Sequence, residues 1–70
     1  MARAPNAAVR LLKAEQDRLM EGRAELIAAA DDPRIPAGVI LDQLAQTDRE
    51  WAEIQDALDL LTAARMERAA

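Results

Sequence analysis

The chain has 70 residues, no cysteine, no histidine, and thirteen acidic against nine basic side chains for a net charge of −4. Disulfides and thiolate or imidazole metal sites are thereby excluded, and the overall charge opposes binding to a polyanion. A chain this short forms one small domain at most and buries too little surface to be comfortable alone, so well-formed helix packing or association must supply the remainder.

Seventeen alanines and nine leucines, with Phe, Tyr and Ser absent and Gly and Pro totalling five, favour helix over sheet. Residues 1–12 lack the continuous apolar core of a signal peptide, and no later run approaches the roughly 20 apolar residues that span a bilayer. A soluble, cytoplasmic protein is the expectation.

Asn6 is placed as an N-cap before a helical pattern through Val9, Leu12, Leu19, Met20, Leu26 and Ile27, which ends where Ala28, Ala29 and Ala30 meet Asp31, Asp32 and Pro33. Helix one is therefore predicted over about residues 6–30. Pro33 and Pro36 lack amide protons and restrict the residues before them, so 31–36 reads as the connection, with Pro36 in the first turn of helix two. Helix two is predicted over about 37–68, making the whole of 1–70 a single elongated antiparallel helical hairpin, all-α and coiled-coil-like. The stretch Thr47-Asp48-Arg49-Glu50 matches a capping box, and a break of helix two at Thr47 is the rival arrangement.

Helix two carries large apolar residues at seven-residue steps: Ile40, Leu44, Trp51, Ile54, Leu58 and Leu61, interrupted only by Thr47. Val39, Ala57 and Ala64 lie on one flank of this seam, and Leu41, Ala45 and Ala52 on the other. Such an arc exceeds what one facing helix covers. On helix one the matching stripe is Leu12, Leu19 and Leu26 with Ala8 and Ala30. These nine large residues of the two helices are the candidate partner-binding set, and a second copy of the hairpin, completing an antiparallel four-helix bundle, is the expected partner; a heterologous helical protein is the alternative.

Two polar residues, Gln16 and Arg23, fall within the helix-one stripe and call for partners. With a turn centred near Pro33 and Arg34, facing positions sum to about 67, which sets Gln16 level with Trp51 and Arg23 near Leu44 to Asp48. An Arg23 to Asp48 ion pair is one solution; Arg23 reaching past its neighbours to water is the other.

Chemistry-bearing residues are few. Lys13 and Thr47 read as a solvated lysine and a seam hydroxyl bonded back to its own helix. The carboxylates Asp42, Glu53, Asp56 and Asp59 face outward, unlike the inward Glu and Glu-x-x-His sets of di-iron bundles. Gly22 and Gly38 form no phosphate loop. No catalytic residue, cofactor or metal is expected.

Charge is polarised along the chain: residues 1–13 hold Arg3, Arg10 and Lys13 with no acid, while the remaining 57 residues carry six bases and thirteen acids. In a hairpin, Arg65 and Arg68 join the same end, opposite Asp31 and Asp32. Arg3, Arg10, Lys13, Arg65 and Arg68 are the candidate anion-binding tip; solvated ends and the helix-two dipole are the plainer account. Antiparallel pairing of two hairpins sets unlike ends together.

The segment Asp32-Pro33-Arg34-Ile35-Pro36 followed by Val39 resembles a stretch near the C-terminus of some bacterial antitoxins, and the hairpin shape resembles Rop-type RNA regulators and the small hairpin chaperones of type III secretion. These resemblances imply either an RNA regulator of four-helix form or an antitoxin-like or chaperone-like partner of another bacterial or phage protein. The residues themselves favour a small non-enzymatic interaction protein, an adaptor, assembly factor or inhibitor that acts through an apolar helix face.

Overall fold

A computed structural model describes residues 5–69 in backbone and 7–68 in side chain. Two helices account for the architecture: α1, Pro5–Ala29, and α2, Ala37–Ala69. Ala, Leu, Glu, Arg and Gln dominate both, all of them strong helix formers that lose little rotamer freedom in a helix. α1 begins with Pro5 at a first-turn position, where its missing amide removes a donor that would be unpaired anyway. Asn6 thus lies inside the helix, and its expected capping side chain is outside the described residues.

α1 ends without a left-handed residue; no positive φ occurs among the described residues. Its last carbonyls are instead taken by tightening bonds: the Ala30 amide donates to Leu26 and Ile27, Asp31 to Ala28 and Asp32 to Ala29. The connection is held by Asp32. Its carboxylate accepts the Arg34 amide at 2.9 Å and both Nε and Nη2 of the Arg34 guanidinium, at 3.1 and 3.0 Å, while its carbonyl accepts the Ile35 amide. Pro36 sits immediately before α2 rather than in its first turn, and its carbonyl accepts the amides of Val39 and Ile40. A residue in that position needs no amide of its own, so proline is accommodated at no hydrogen-bonding cost.

α2 runs through Thr47 without a break. The Glu50 carboxylate, which a capping box would turn back onto the Thr47 amide, accepts instead from Gln46 Nε2 one turn earlier at 3.3 Å. The apolar seam keeps its phase on both sides of Thr47, so continuing the helix buries more than breaking it.

The molecule is a rod, with extents of 54 × 17 × 10 Å and a radius of gyration of 16.4 Å, against about 11 Å for a compact domain of this length. Its accessible surface is 5447 Å², where a compact monomer of this size would expose about 4,300 Å². The core is correspondingly thin. Among the described residues Leu19, Ile40 and Leu58 are the buried hydrophobic ones, and no side chain is completely enclosed.

Gly22, in mid-α1, has nothing within 4 Å of where a Cβ would be. Substituting alanine there is expected to stabilise the hairpin by about 0.5–1 kcal/mol through helix propensity alone. A urea midpoint that fell on Gly22→Ala would show that the glycine serves close packing.

Candidate functional site

The seam of α2 turns toward α1 along its whole length. Ile40 and Leu58 are buried, and Leu44, Thr47, Trp51, Ile54 and Leu61 are half-buried; from α1, Leu19 is buried and Leu12 and Leu26 are half-buried. The seam is therefore occupied largely within the hairpin, and the surface open to a partner lies on its flanks.

Gln16 is buried and donates from Nε2 to Gln55 Oε1 at 3.0 Å; Gln55 in turn donates to Asp59 at 3.0 Å. Arg23 Nε bonds Asp48 Oδ1 at 3.0 Å, so the interhelical ion pair forms. Both ends of that pair remain partly in solvent, at 36% and 57% side-chain exposure, which limits its contribution to less than about 1 kcal/mol. Among the described residues, no buried side-chain nitrogen or oxygen lacks a hydrogen-bond partner.

Gln16 with Gln55 and Arg23 with Asp48 share one register, four positions beyond the expected alignment of Gln16 with Trp51. Side-chain direction accounts for the offset. Helical side chains lean toward the N-terminus of their own helix, which is away from the loop in α1 and toward it in α2. Touching pairs are therefore drawn from α2 residues farther from the loop than those at the same height.

These cross-helix bonds mark one broad face of the rod. At 100° per residue, Val9, Met20 and Ile27 of α1 and Leu41, Ala45, Ala52 and Ala63 of α2 point to the same side as Arg23 and Asp48. Near the loop this face hollows into an apolar cleft of about 420 Å³, lined by Ile27, Pro33, Ile35, Ile40, Leu41 and Leu44 among others. Leu41 is 64% exposed, and Met20 and Ile27 about half. Met66, 68% exposed, stands at the other end of α2 on the edge of the same face.

The opposite broad face is more polar where it hollows. Its groove of about 450 Å³ is lined by Arg18, Glu25, Gln43 and Thr47 beside Gly22 and Ala29. Leu11 and Val39 are its exposed large apolar side chains, and Leu60 points outward from α2 between the two faces.

Charge is distributed lengthwise. The open end holds Arg10, Lys13, Arg65 and Arg68 against Asp59 and Glu67, and all six are exposed, which leaves that end net basic. Arg3 of the expected basic tip lies outside the described residues. At the closed end the Asp32 carboxyl is held below the ordinary carboxylate range by its hydrogen bonds to the Arg34 side chain and then to the Arg34 amide, and the Arg34 guanidinium is correspondingly raised. Arg34 thus offsets one of the two expected acidic-tip charges. Glu21, Glu25, Asp31, Asp32 and Asp42 against Arg23 and Arg34 still leave that end net acidic. Farther along α1, the Arg18 hydrogen bond lowers the Glu15 carboxyl in the same manner.

Asp42, Glu53, Asp56 and Asp59 are exposed, and among the described residues no three His, Cys, Asp or Glu side chains come together as a metal site would require. No helix is long and apolar enough to cross a membrane. In comparisons with known proteins, no family model, curated protein sequence or solved structure matches this chain.

Proposed function

We propose that the chain is a small non-enzymatic helical interaction protein, an adaptor, assembly factor or inhibitor, that works as an antiparallel homodimer of hairpins in a four-helix bundle. One observation carries the reading: among the described residues seven large apolar side chains, Leu11, Met20, Ile27, Val39, Leu41, Leu60 and Met66, are exposed while three hydrophobic residues make the buried core. Exposed apolar area on that scale, gathered mainly along one face of a rod, is what a helical partner covers. The lack of His and Cys and the solvated setting of Lys13 and the carboxylates support a role without catalysis, and a water-soluble, cytoplasmic setting accords with helices that are amphipathic rather than membrane-spanning.

Size-exclusion chromatography with light scattering tests this at micromolar concentration. A single helical species of twice the chain mass is expected. A well-folded species of one chain mass would overturn the homodimer, and an unfolded or aggregating chain that becomes helical only with a second protein would replace it with a hetero-complex.

A second reading rests on Arg10, Lys13, Arg65 and Arg68, which the hairpin brings to one exposed end: a regulator that grips nucleic-acid phosphates there. The net charge of −4 opposes it. Retention on RNA or duplex DNA at physiological salt that disappears when these four and Arg3 are neutralised would favour it over the protein-interaction reading.

A further inference from the structure

We infer that the two copies meet through the broad face bearing Met20, Ile27, Leu41 and Ala52, with the two-fold axis crossing α2 beside Ala52; the inference rests on the homodimer proposed above and specifies its interface. Four of the seven exposed large apolar residues, Met20, Ile27, Leu41 and Met66, belong to this face or its edge, and the apolar cleft at the loop opens on it. The projected area of a rod 54 × 17 Å, on the order of 900 Å² per copy, meets the roughly 800 Å² per partner of a standard stable interface.

Charge at the two ends selects the orientation, and end-to-end overlap of the helices sets the level. With the axis in the interface plane and perpendicular to the rod, each helix lies antiparallel on its own symmetry mate, and the basic open end of one copy faces the acidic closed end of the other. End-to-end overlap of α2, Ala37–Ala69, places Arg49 within about one residue of the level of Asp56 in the second copy, twice by symmetry. Among the described residues neither side chain forms an ion pair within its own hairpin, and both are exposed on the outer edge of α2, at the rim of the contact. The same alignment sets Leu41, at the mouth of the cleft, within about one residue of the level of Met66 in the second copy. A parallel dimer would superpose like ends and leave Arg49 without Asp56. Alanines at 45, 52 and 63 let the two α2 backbones approach closely along the contact.

Because the natural chain has no cysteine, single cysteines report the geometry directly under mild oxidation. Ala52→Cys is expected to cross-link to its symmetry mate, since the two positions differ by about 3 Å along the rod. Ala45→Cys, on the same face but about 24 Å from its mate, should not cross-link, nor should Ala57→Cys on the opposite side of α2. Arg49→Asp should weaken the dimer at least tenfold in sedimentation equilibrium, and adding Asp56→Arg should restore affinity to within about threefold of the parent.

A dimer of unchanged mass in which Ala57→Cys cross-links and Ala52→Cys does not would overturn the face while leaving the homodimer intact. Charge exchange that fails to rescue would overturn the alignment. A folded monomer would overturn both inference and homodimer, assigning the face to a different protein.

Discussion

Replacing Trp51 with alanine is expected to destabilise the protein by about 3 kcal/mol, at the lower end of the range for a buried tryptophan. The side chain occupies the middle of the α2 seam, half-buried, level with the centre of α1. It is the sole aromatic residue in the chain, and nothing among the described residues duplicates its bulk. A protein of this length has about 4–10 kcal/mol of total stability, so one substitution removes roughly a third to three quarters of it. The slight gain in helix propensity from alanine, below about 0.7 kcal/mol, does not compensate. Urea unfolding followed by helical circular dichroism should show a midpoint lowered by about 2–3 M. Leu60→Ala supplies the control: at 73% exposure, away from both broad faces, it should change stability by less than about 0.5 kcal/mol. A Trp51→Ala protein within 1 kcal/mol of the parent would show that the ring does not contribute to the core.

Most of the hairpin is legible in the sequence because its two determinants are periodic and local. The seven-residue spacing from Ile40 to Leu61 fixes which side of α2 turns inward, and Pro33 and Pro36 place the turn. Every seam position is buried or half-buried in the structure. The capping box at Thr47 misleads for a physical reason: it is a local signal, and a continuous helix buries the seam on both sides of it.

Details that depend on side-chain direction and on single local bonds are less legible. Position numbers place Trp51 opposite Gln16, whereas the N-terminal lean of both side-chain sets brings Gln55 there. The sequence does point to Asp48 as a partner of Arg23, because the reach of arginine tolerates a one-turn error in register. The acidity of the loop is overstated until Arg34 is seen to fold back on Asp32, a contact between residues two apart that helical periodicity does not encode. Division of the apolar surface between core and exterior also needs three dimensions. The width of the α2 arc marks an excess, but only the packed pair shows that Leu41 and Met66 stand in solvent while Leu58 is covered.

The stability of the parent protein should rise with its concentration. If the folded species is a dimer and the unfolded one a single chain, each tenfold increase in chain concentration adds about 1.4 kcal/mol to the free energy of unfolding per dimer. Between 1 and 100 μM the gain is therefore about 2.8 kcal/mol, visible as a rising urea midpoint with unchanged slope. Leu41→Asp separates association from hairpin formation. In the lone hairpin, residue 41 already lies in solvent, so a carboxylate there costs the fold little; in the dimer it would be desolvated opposite an apolar side chain, once in each half of the interface. The variant should therefore lose the concentration dependence over this range and unfold at a lower, constant midpoint. A parent midpoint flat from 1 to 100 μM, with full helicity at the lowest concentration, would mean that three buried hydrophobic residues suffice to hold the rod and that its broad face needs no second copy.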